Sequence, residues 1–347
     1  MSQKNTSFSE IQWIKKSCAL NNLLSQISYS LIFGVMSLCF LCTVSYAKYP
    51  EKPIRLVVGY PPGGANDLIA RQVASKLTQL LSIQVVVDNR PGANGIISCE
   101  LVMKASPDGY TLLFAGLTPL VINSLTYLKL PYATMTDFSG ISMVASGPLA
   151  IAVRPDLLTN DVKDLIHIAK TRPGKLNFAT IGTGGFTRVF FELFKSVAKI
   201  DVHFVPYKGG VLAITDVIGG QVDAIALDLA PLLPMIKNGM LNGIAITSKT
   251  RNPEIPNIRT MSEQGMPEMT SGNWYAILAP KKLPLSIANT LNKAIVTGIN
   301  AVDFKDKLLS IGVDPMASAS SQALESFMNA ELVRWGAVVK SSNIKSE

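Results

Sequence analysis

Short apolar runs alternate with helical patterns along most of the chain, and this alternation constrains the fold more than any other feature. The runs span four to seven residues and are rich in Val, Ile and Leu, as expected for a parallel sheet covered on both faces. The predicted strands are residues 54–60, 83–87, 111–115, 141–144, 176–180, 202–205, 222–227, 243–247 and 274–279. The clearest helical patterns cover residues 69–80, 186–197, 212–218, 285–299 and 323–339. The alternation predicts an α/β architecture.

The composition is that of a folded protein with an ample core. Charged residues make up 16% of the 347 residues and apolar residues 48%, which excludes a disordered chain. This length usually holds two domains of about 150 residues each. The net charge of +8 is modest, and no run of five Lys or Arg residues exists to follow a phosphate backbone. No nucleic-acid partner is therefore expected.

The N-terminal segment has the layout of a secretory signal peptide. Lys15 and Lys16 precede an apolar stretch at residues 27–44, and residues 45–47 (SYA) place small residues at both ends of a cleavage motif. This pattern predicts a cleaved signal peptide over residues 1–47 and export to the periplasm. An uncleaved membrane anchor is the alternative, because the apolar stretch is close to the shortest length that spans a bilayer.

Cysteine usage follows from that cleavage, because only Cys99 remains in the exported chain. A single thiol forms no internal disulfide, so Cys99 is either a nucleophile or, more commonly, a buried inert residue. A lipoprotein anchored at Cys42 fits poorly, because bulky Phe40 and Leu41 stand where small residues are expected.

Two glycine-rich turns carry most of the functional information. Residues 61–64 (PPGG) and 182–185 (GTGG) each lie between a predicted strand and an amphipathic helix. The first N–H groups of a helix have no partner within it, and the helix dipole is positive there, so each turn is a potential anion site. Two such turns in separate domains suggest a clamp on a small anion, although glycine turns also close ordinary strand–helix corners.

Motifs for nucleotide chemistry and catalysis are missing. The chain has no G-x-x-x-x-G-K-[ST], no G-x-G-x-x-G and no G-x-S-x-G sequence. His167 is predicted on a helix and His203 in a strand, and with one cysteine they form no recognisable zinc site. A triad of residues distant in sequence stays possible. We expect a binding protein with no catalytic residue, no metal and no cofactor.

Several further motifs, in order along the chain, resemble the Bug receptors, which are the extracytoplasmic solute-binding proteins of tripartite tricarboxylate transporters. The resemblance covers nearly all of residues 48–347. The matching motifs are residues 49–58 (YPEKPIRLVV), 61–67 (PPGGAND), 89–93 (NRPGA), 107–113 (PDGYTLL), 205–209 (VPYKG) and 219–223 (GGQVD).

The resemblance implies a type II periplasmic binding protein fold, in which two α/β lobes close around a ligand cleft like a clamshell. Lobe 1 would comprise residues 48–149 plus 273–347, and lobe 2 residues 150–272. The ligand would be a small organic carboxylate, and a monomeric receptor would deliver it to a membrane permease of the tripartite type. A sensor accessory, an orphan receptor without a permease and, less favoured, a periplasmic α/β hydrolase are the alternatives.

The resemblance also implies ligand-binding residues in the first half of the chain. They are Tyr60, Gly63, Gly64, Ala65, Asn66, Asp67 and Thr118. The backbone of Gly63, Gly64 and Ala65 would hold the proximal carboxylate. Asn66 and Asp67 have helix capping as their ordinary alternative, as does Thr118.

The second half contributes a loop that departs from the family pattern. Its implied ligand-binding residues are Thr183, Gly184, Gly185, Phe186, Thr187 and Arg188, and Asp228 follows a later strand. Phe186 could narrow the pocket or pack in the core, and Arg188 could pair with a carboxylate or face solvent. Asp228 could act through water, pair with a ligand amine or cap the turn before Pro231. Core packing is the expected role of Tyr207 and Trp274.

Overall fold

The computed structural model describes residues 49–341, so the predicted signal peptide lies outside the described residues. Eleven strands are described: β1 Ile54–Val58, β2 Val85–Asn89, β3 Thr111–Gly116, β4 Phe138–Gly147, β5 Leu149–Val153, β6 Asn177–Ile181, β7 His203–Tyr207, β8 Ala224–Asp228, β9 Asn242–Ile246, β10 Asn273–Pro280 and β11 Asp314–Pro315.

Helices connect most of these strands. They are α1 Ala65–Leu81, α2 Ile96–Met103, α3 Asn123–Thr126, α4 Thr134–Asp137, α5 Val162–Thr171, α6 Phe186–Ala198, α7 Gly210–Ile218, α8 Leu229–Lys237, α9 Leu285–Asn300, α10 Val302–Leu309 and α11 Ser321–Ser341. Shorter helical turns occur at Ala93–Gly95, Thr118–Ile122, Pro155–Leu157, Ser262–Gln264 and Pro267–Met269.

The strands form two mixed sheets. The first has the order β11-β4-β10-β3-β1-β2, and the second has the order β7-β6-β8-β5-β9. Strand β1 pairs in parallel with β2 and β3, whereas β10 runs antiparallel to β3 and β4. In the second sheet β6 is parallel to β7 and β8, and β5 is antiparallel to β8 and β9. The expectation of a parallel sheet was therefore only partly right, because β10 in the first sheet and β5 in the second run antiparallel to both of their neighbours, and β11 pairs antiparallel with β4 at the edge of the first sheet.

The chain crosses between the sheets twice. It leaves the first sheet between β4 and β5 and returns between β9 and β10. Thr247 joins these two crossings: its hydroxyl accepts a hydrogen bond from the Leu149 N–H at 2.9 Å, and its carbonyl accepts one from the Ser271 N–H at 3.0 Å. The division into lobes at residues 149/150 and 272/273 falls at these crossings and stays a prediction.

All nine predicted strands correspond to observed ones, with shifted ends. The elements that were missed are strands β5 and β11 and helices α2, α3, α4, α8 and α10. The β5 sequence follows Pro148 directly and gives no separate turn signal, and helix α8 contains two prolines, which are poor helix formers in an interior position. His167 lies on α5 and His203 begins β7, as predicted.

The packed interior explains the remaining cysteine. Cys99 is fully buried on α2, and this burial raises the pKa of its thiol to about 12. The prediction of a buried cysteine is confirmed, and a thiol with so high a pKa is a poor nucleophile at neutral pH. Across residues 49–341, no helix combines the length and apolar character needed to cross a bilayer. The same residues contain no cluster of His, Cys, Asp and Glu suited to a metal ion.

Candidate functional site

A pocket lies at the carboxyl ends of β1, β3, β6 and β8 and at the beginning of β10. It contains about 550 Å³ of empty space, part of it open to solvent, and we call it the inner pocket. Its lining residues are Tyr60, Pro61, Gly64, Ala65, Asn66, Thr118, Ile181, Phe186, Thr187, Gly210, Leu227, Asp228 and Asn273. Eight of the fourteen predicted site residues are among them, drawn from both sheets.

Two helices begin at this pocket, and each has a glycine at its N-cap. Gly64 precedes α1 and Gly185 precedes α6, both in extended backbone conformation, and neither glycine has a side chain of its own to cap its helix. The first-turn N–H groups of a helix have no acceptor within it, so an anion between the two helices would supply one. Gly63 has φ +86°, a left-handed conformation that favours glycine, and this turn directs the chain into α1.

Thr118 caps a helix other than its own. Its hydroxyl oxygen accepts a hydrogen bond from the backbone N–H of Phe186 at 3.1 Å, so it satisfies the first residue of α6. Nearby, the hydroxyl of Thr126 donates to the carbonyl of Gly184 at 3.2 Å. The turn and helix that follow β3 are thereby tied to the glycine loop of the second sheet.

Asp228 stands at the base of the pocket in a buried hydrogen-bond network. Its Oδ1 atom accepts hydrogen bonds from the Tyr275 hydroxyl at 2.7 Å and from Asn273 Nδ2 at 2.9 Å. The Oδ1 atom of Asn273 in turn accepts the backbone N–H of Leu117 at 3.1 Å. Burial raises the pKa of Asp228, although the hydrogen bonds from Tyr275 and Asn273 offset part of the rise. Asp228 therefore does more than cap a turn, which was one alternative from the sequence, because its hydrogen bonds connect β8 to β10.

Two further polar groups border the pocket. Burial raises the pKa of Tyr60 well above its ordinary value, with a hydrogen bond to Thr118 acting in the opposite direction, so Tyr60 is a neutral hydroxyl. The Oδ1 atom of Asn66 is buried and has no hydrogen-bond partner among the described residues. A buried acceptor without a donor is costly, so a ligand or water donor at Asn66 would stabilise it.

The inner pocket is poor in charge. Among its described lining residues there is no Lys, Arg or His, and Asp228 is the sole acid. A carboxylate in this pocket would therefore be held by backbone N–H groups, neutral hydroxyls and the two helix N-termini. An ionised Asp228 would repel it, whereas a protonated Asp228 would not.

The remaining predicted site residues lie outside the inner pocket. Asp67 is buried beneath the first loop, where it accepts hydrogen bonds from the Gly63 N–H at 3.0 Å and from Arg71 Nε at 2.9 Å. Burial alone would raise the pKa of Asp67, but these bonds and one from Asn89 lower it. Asp67 therefore holds the first loop against α1 and β2, and it does not cap α1, whose N-cap residue is Gly64. Gly63, Gly184 and Gly185 shape the two loops without lining the pocket, and Thr183 borders a neighbouring cavity.

The sequence left open whether Arg188 and Phe186 face the pocket, and the structure places only Phe186 on the pocket wall. The guanidinium of Arg188 pairs with Glu192 at 2.6 Å and stacks on the Phe204 ring, 4.3 Å from its centroid, so it does not line the inner pocket. Phe186 is 3% exposed and packs edge-on against Trp335, with ring centroids 5.0 Å apart, yet it also lines the pocket. It therefore serves as core and as pocket wall at once. Ligand contact by any of these residues stays a prediction.

Five lining residues were not identified from the sequence: Pro61, Ile181, Gly210, Leu227 and Asn273. Four of them directly neighbour or lie close to a residue or motif that was singled out, so proximity alone could have found them. Asn273 directly precedes Trp274, but Trp274 was expected only to pack in the core, so it did not point to a pocket residue. Its position at the start of β10 matters only because the pairing of β10 with β3 brings it to Asp228.

Two α/β sheets joined by two crossing segments, with a pocket between loops of both, define a solute-binding protein of the type II periplasmic class. The chain belongs to the tripartite tricarboxylate transporter receptor family, whose sequence profile matches residues 69–344. The predicted fold and family are thus confirmed, and the family and its structural neighbours are solute-binding proteins, not enzymes. The hydrolase alternative is set aside.

Individual relatives agree with this assignment. The chain is 33% identical over 303 residues to protein BugT of Bordetella pertussis, covering 87% of this chain and 93% of the relative. The structure of R. palustris Rpa4515 with adipate is 30% identical and superposes with a TM-score of 0.83, covering 86% of this chain and 99% of that one. The periplasmic binding protein BugD is 28% identical with a TM-score of 0.82, covering 86% of this chain and 100% of that one.

Proposed function

We propose that this receptor captures a small organic carboxylate in the inner pocket and delivers it to a membrane permease of the tripartite type. The observation that carries the proposal is the convergence of two glycine-capped helix N-termini, those of α1 and α6, on one pocket. A carboxylate there would accept hydrogen bonds from N–H groups that have no acceptor within their helices. The adipate bound to a relative of 30% identity supports the same ligand class.

The proposal includes the predicted cell biology and closure of the receptor. Residues 1–47 would direct export and be removed in the periplasm, where family members are binding proteins. Lobe 1 (residues 48–149 plus 273–347) and lobe 2 (residues 150–272) would close on the carboxylate. Binding stabilises the closed form only to the extent that the ligand prefers it over the open form, and the permease would recognise that form.

Calorimetric titration and thermal unfolding with a panel of ligands test the proposal. The panel holds di- and tricarboxylates, acidic and neutral amino acids, aromatic acids and, as controls, neutral sugars. A ligand at about 1,000 times its Kd stabilises the fold by about 4 kcal/mol. We expect one carboxylate class to raise the midpoint by several degrees and the sugars to leave it unchanged. Stabilisation by neutral ligands alone would overturn the proposal.

Gly64 offers a variant series that tests the helix-terminus site directly. A β-carbon at Gly64 meets nothing closer than the Pro61 carbonyl oxygen at 3.9 Å, so alanine fits there, and the extended backbone is one that alanine and valine both adopt. We expect Gly64→Ala to weaken carboxylate binding and Gly64→Val to weaken it further, because the side chains occupy the space between the helix ends. The control is Gly336→Ala on α11. Its added β-carbon would meet only the Leu125 side chain, at 3.7 Å, so this variant should bind the carboxylate as the wild type does.

A further inference from the structure

Two connecting segments meet at the amino ends of β6 and β7, at the opposite end of β6 from the inner pocket. The segment between α5 and β6 runs beside the segment between α6 and β7, because the Gly174 N–H donates to the Asp201 carbonyl at 3.0 Å and the His203 N–H donates to the Leu176 carbonyl at 2.8 Å. The carboxyl ends of α5 and α6 therefore share this surface.

Basic side chains gather on this surface, and we call them the basic patch. Its members are Lys170, Arg172, Lys175, Lys195 and Lys199. Asp201 is the one acid within the two segments, and its Oδ1 atom lies 2.9 Å from Lys195 Nζ. The other four cations are exposed and join none of the ion pairs found in residues 49–341. The patch therefore presents an excess of uncompensated positive charge.

The paired charges beside the patch do not cancel this excess. Asp223, which precedes β8, is already paired with Arg154 at 2.9 Å. Glu192 on α6 is likewise paired with Arg188, at 2.6 Å. Both acids are thus neutralised by partners outside the basic patch.

Stabilisation of the helix ends accounts for only part of the patch. Lys170 and Lys195 lie in the last turns of α5 and α6, where a cation is favourable against the helix dipole. Lys199 is not explained in this way alone, because it has φ +52° directly after α6, a left-handed position at which glycine is favoured. A lysine there strains the backbone, so local folding does not account for its side chain.

The patch offers charge without an apolar anchor. None of the exposed large apolar side chains of the described chain lies within residues 170–176 or 195–203. Protein–protein interfaces are enriched in aromatic residues and depleted in lysine, whereas clustered Lys and Arg bind an anionic bilayer through charge. The composition of the patch therefore fits lipid headgroups better than it fits an acidic protein surface.

We propose that the basic patch docks the receptor on a membrane surface that contains anionic phospholipids. Family members are periplasmic binding proteins, and the periplasm is bounded by membranes. Strand β6 runs from the patch to Ile181 at the inner pocket, so docking at the patch leaves the pocket accessible. This inference goes beyond the capture of a carboxylate and does not depend on it.

Co-sedimentation with lipid vesicles tests the docking, with the receptor purified from a periplasmic extract. Vesicles of phosphatidylglycerol and phosphatidylethanolamine are compared at low ionic strength with neutral vesicles of phosphatidylcholine and phosphatidylethanolamine. We expect binding to the anionic vesicles only, and we expect added salt to abolish it because salt screens exposed charges. Equal binding to both kinds of vesicle, or binding to neither, overturns the proposal.

A triple variant of the patch is compared with a triple variant of equal charge. The patch variant combines Lys170→Gln, Lys175→Gln and Lys199→Gln. The control changes three exposed lysines that lie after β9, on α9 and on α11, namely Lys249→Gln, Lys293→Gln and Lys340→Gln. At about fivefold per lysine, the patch variant should bind anionic vesicles about 100-fold more weakly. Equal losses in the two variants would assign the binding to net charge and overturn the proposal.

Lys199→Gly separates docking from folding. It removes one charge from the patch and places glycine where the backbone is left-handed. We expect this variant to unfold at a higher temperature than the wild type and yet to bind anionic vesicles about fivefold more weakly. Vesicle binding at the wild-type level would overturn the proposal. Calorimetric titration of the patch variant with a carboxylate should give the wild-type affinity, so the failure of docking and the failure of ligand capture are observed separately.

Discussion

The side-chain amide of Asn94 lies against the bare backbone of Gly182, so closely that a β-carbon on Gly182 would stand 1.9 Å from Asn94 Oδ1. Both residues have left-handed backbones, with φ +52° at Asn94 and φ +69° at Gly182. They belong to the segments after β2 and after β6, which come from different sheets. This contact therefore joins a loop of one sheet to a loop of the other, and it exists only because residue 182 has no side chain.

Gly182→Ala is expected to weaken ligand binding about tenfold or more. The added methyl group both clashes with Asn94 and holds a left-handed backbone that costs about 1 kcal/mol in a residue other than glycine. Because the contact joins loops of the two sheets, we expect the variant to disfavour closure of the two lobes more than it disfavours folding. Calorimetric titration measures the loss of affinity, and the radius of gyration from solution scattering with and without ligand measures the loss of closure.

A second substitution separates the clash from the backbone strain. Asn94→Gly removes the amide and tolerates the left-handed conformation, so it should restore most of the affinity that Gly182→Ala loses. If the double variant binds no better than Gly182→Ala, the Asn94–Gly182 contact does not control closure.

Asp228→Asn is expected to stabilise the protein at neutral pH. Burial raises the pKa of the Asp228 carboxyl, so its folded-state pKa lies above its unfolded value of about 3.9. Such a group favours the fold fully below the unfolded pKa, and that contribution is lost as the pH rises through the interval up to the folded pKa. The asparagine variant keeps an Oδ1 acceptor for Tyr275 and Asn273 but carries no charge, so it escapes this loss.

Chemical denaturation across a pH series checks the sign of this effect. The free energy of unfolding of Asp228→Asn should exceed that of the wild type at pH 7, and the excess should shrink as the pH falls from the raised folded pKa of Asp228 toward about 4, below which it stays constant. The affinity of the wild type for a carboxylate should decline as the pH rises, whereas that of the variant should not. A difference in stability that is constant with pH would contradict the prediction.

Thr118→Val is expected to cost about 1–2 kcal/mol of stability. It removes the acceptor for the Phe186 N–H, which starts α6, and a lost helix cap costs about that much. Valine has nearly the shape of threonine, so packing changes little. Thr118→Ser keeps the hydroxyl and should retain the cap. Thermal unfolding of the wild type and both variants measures the effect. Equal unfolding midpoints for Thr118→Val and Thr118→Ser would refute the capping role of Thr118.

Arg188→Ala is expected to leave ligand affinity within about twofold of the wild type, at low and at high salt. Arg188 pairs with Glu192 and stacks on Phe204, so the loss falls on stability, by about 0.5–1.5 kcal/mol for an i,i+4 ion pair and a cation–π contact. Calorimetric titration at two salt concentrations decides the matter. A loss of affinity that is larger at low salt would contradict the prediction and would show that the Arg188 charge interacts with the ligand.

The local sequence was sufficient to locate nine of the eleven described strands, the glycine turns and the first turns of the two helices that face the pocket. Glycine at residues 63 and 182 signals left-handed backbone, and alternating apolar runs signal strands, whichever tertiary partners are present. For this reason both pocket loops could be predicted. The same information could not decide where each side chain near those loops points.

Tertiary structure alone decided which side chains meet. Helical rotation turns Phe186 and Thr187 toward the pocket and carries Arg188 round to Glu192, although the three residues are consecutive. Thr118 caps a helix that begins 68 residues later, and Asn273 reaches an aspartate 45 residues earlier. The backbone hydrogen bonds of helices and turns form between near neighbours and follow local propensity. The bonds that complete this pocket form between residues far apart in the chain, and the packing of the two sheets brings them together.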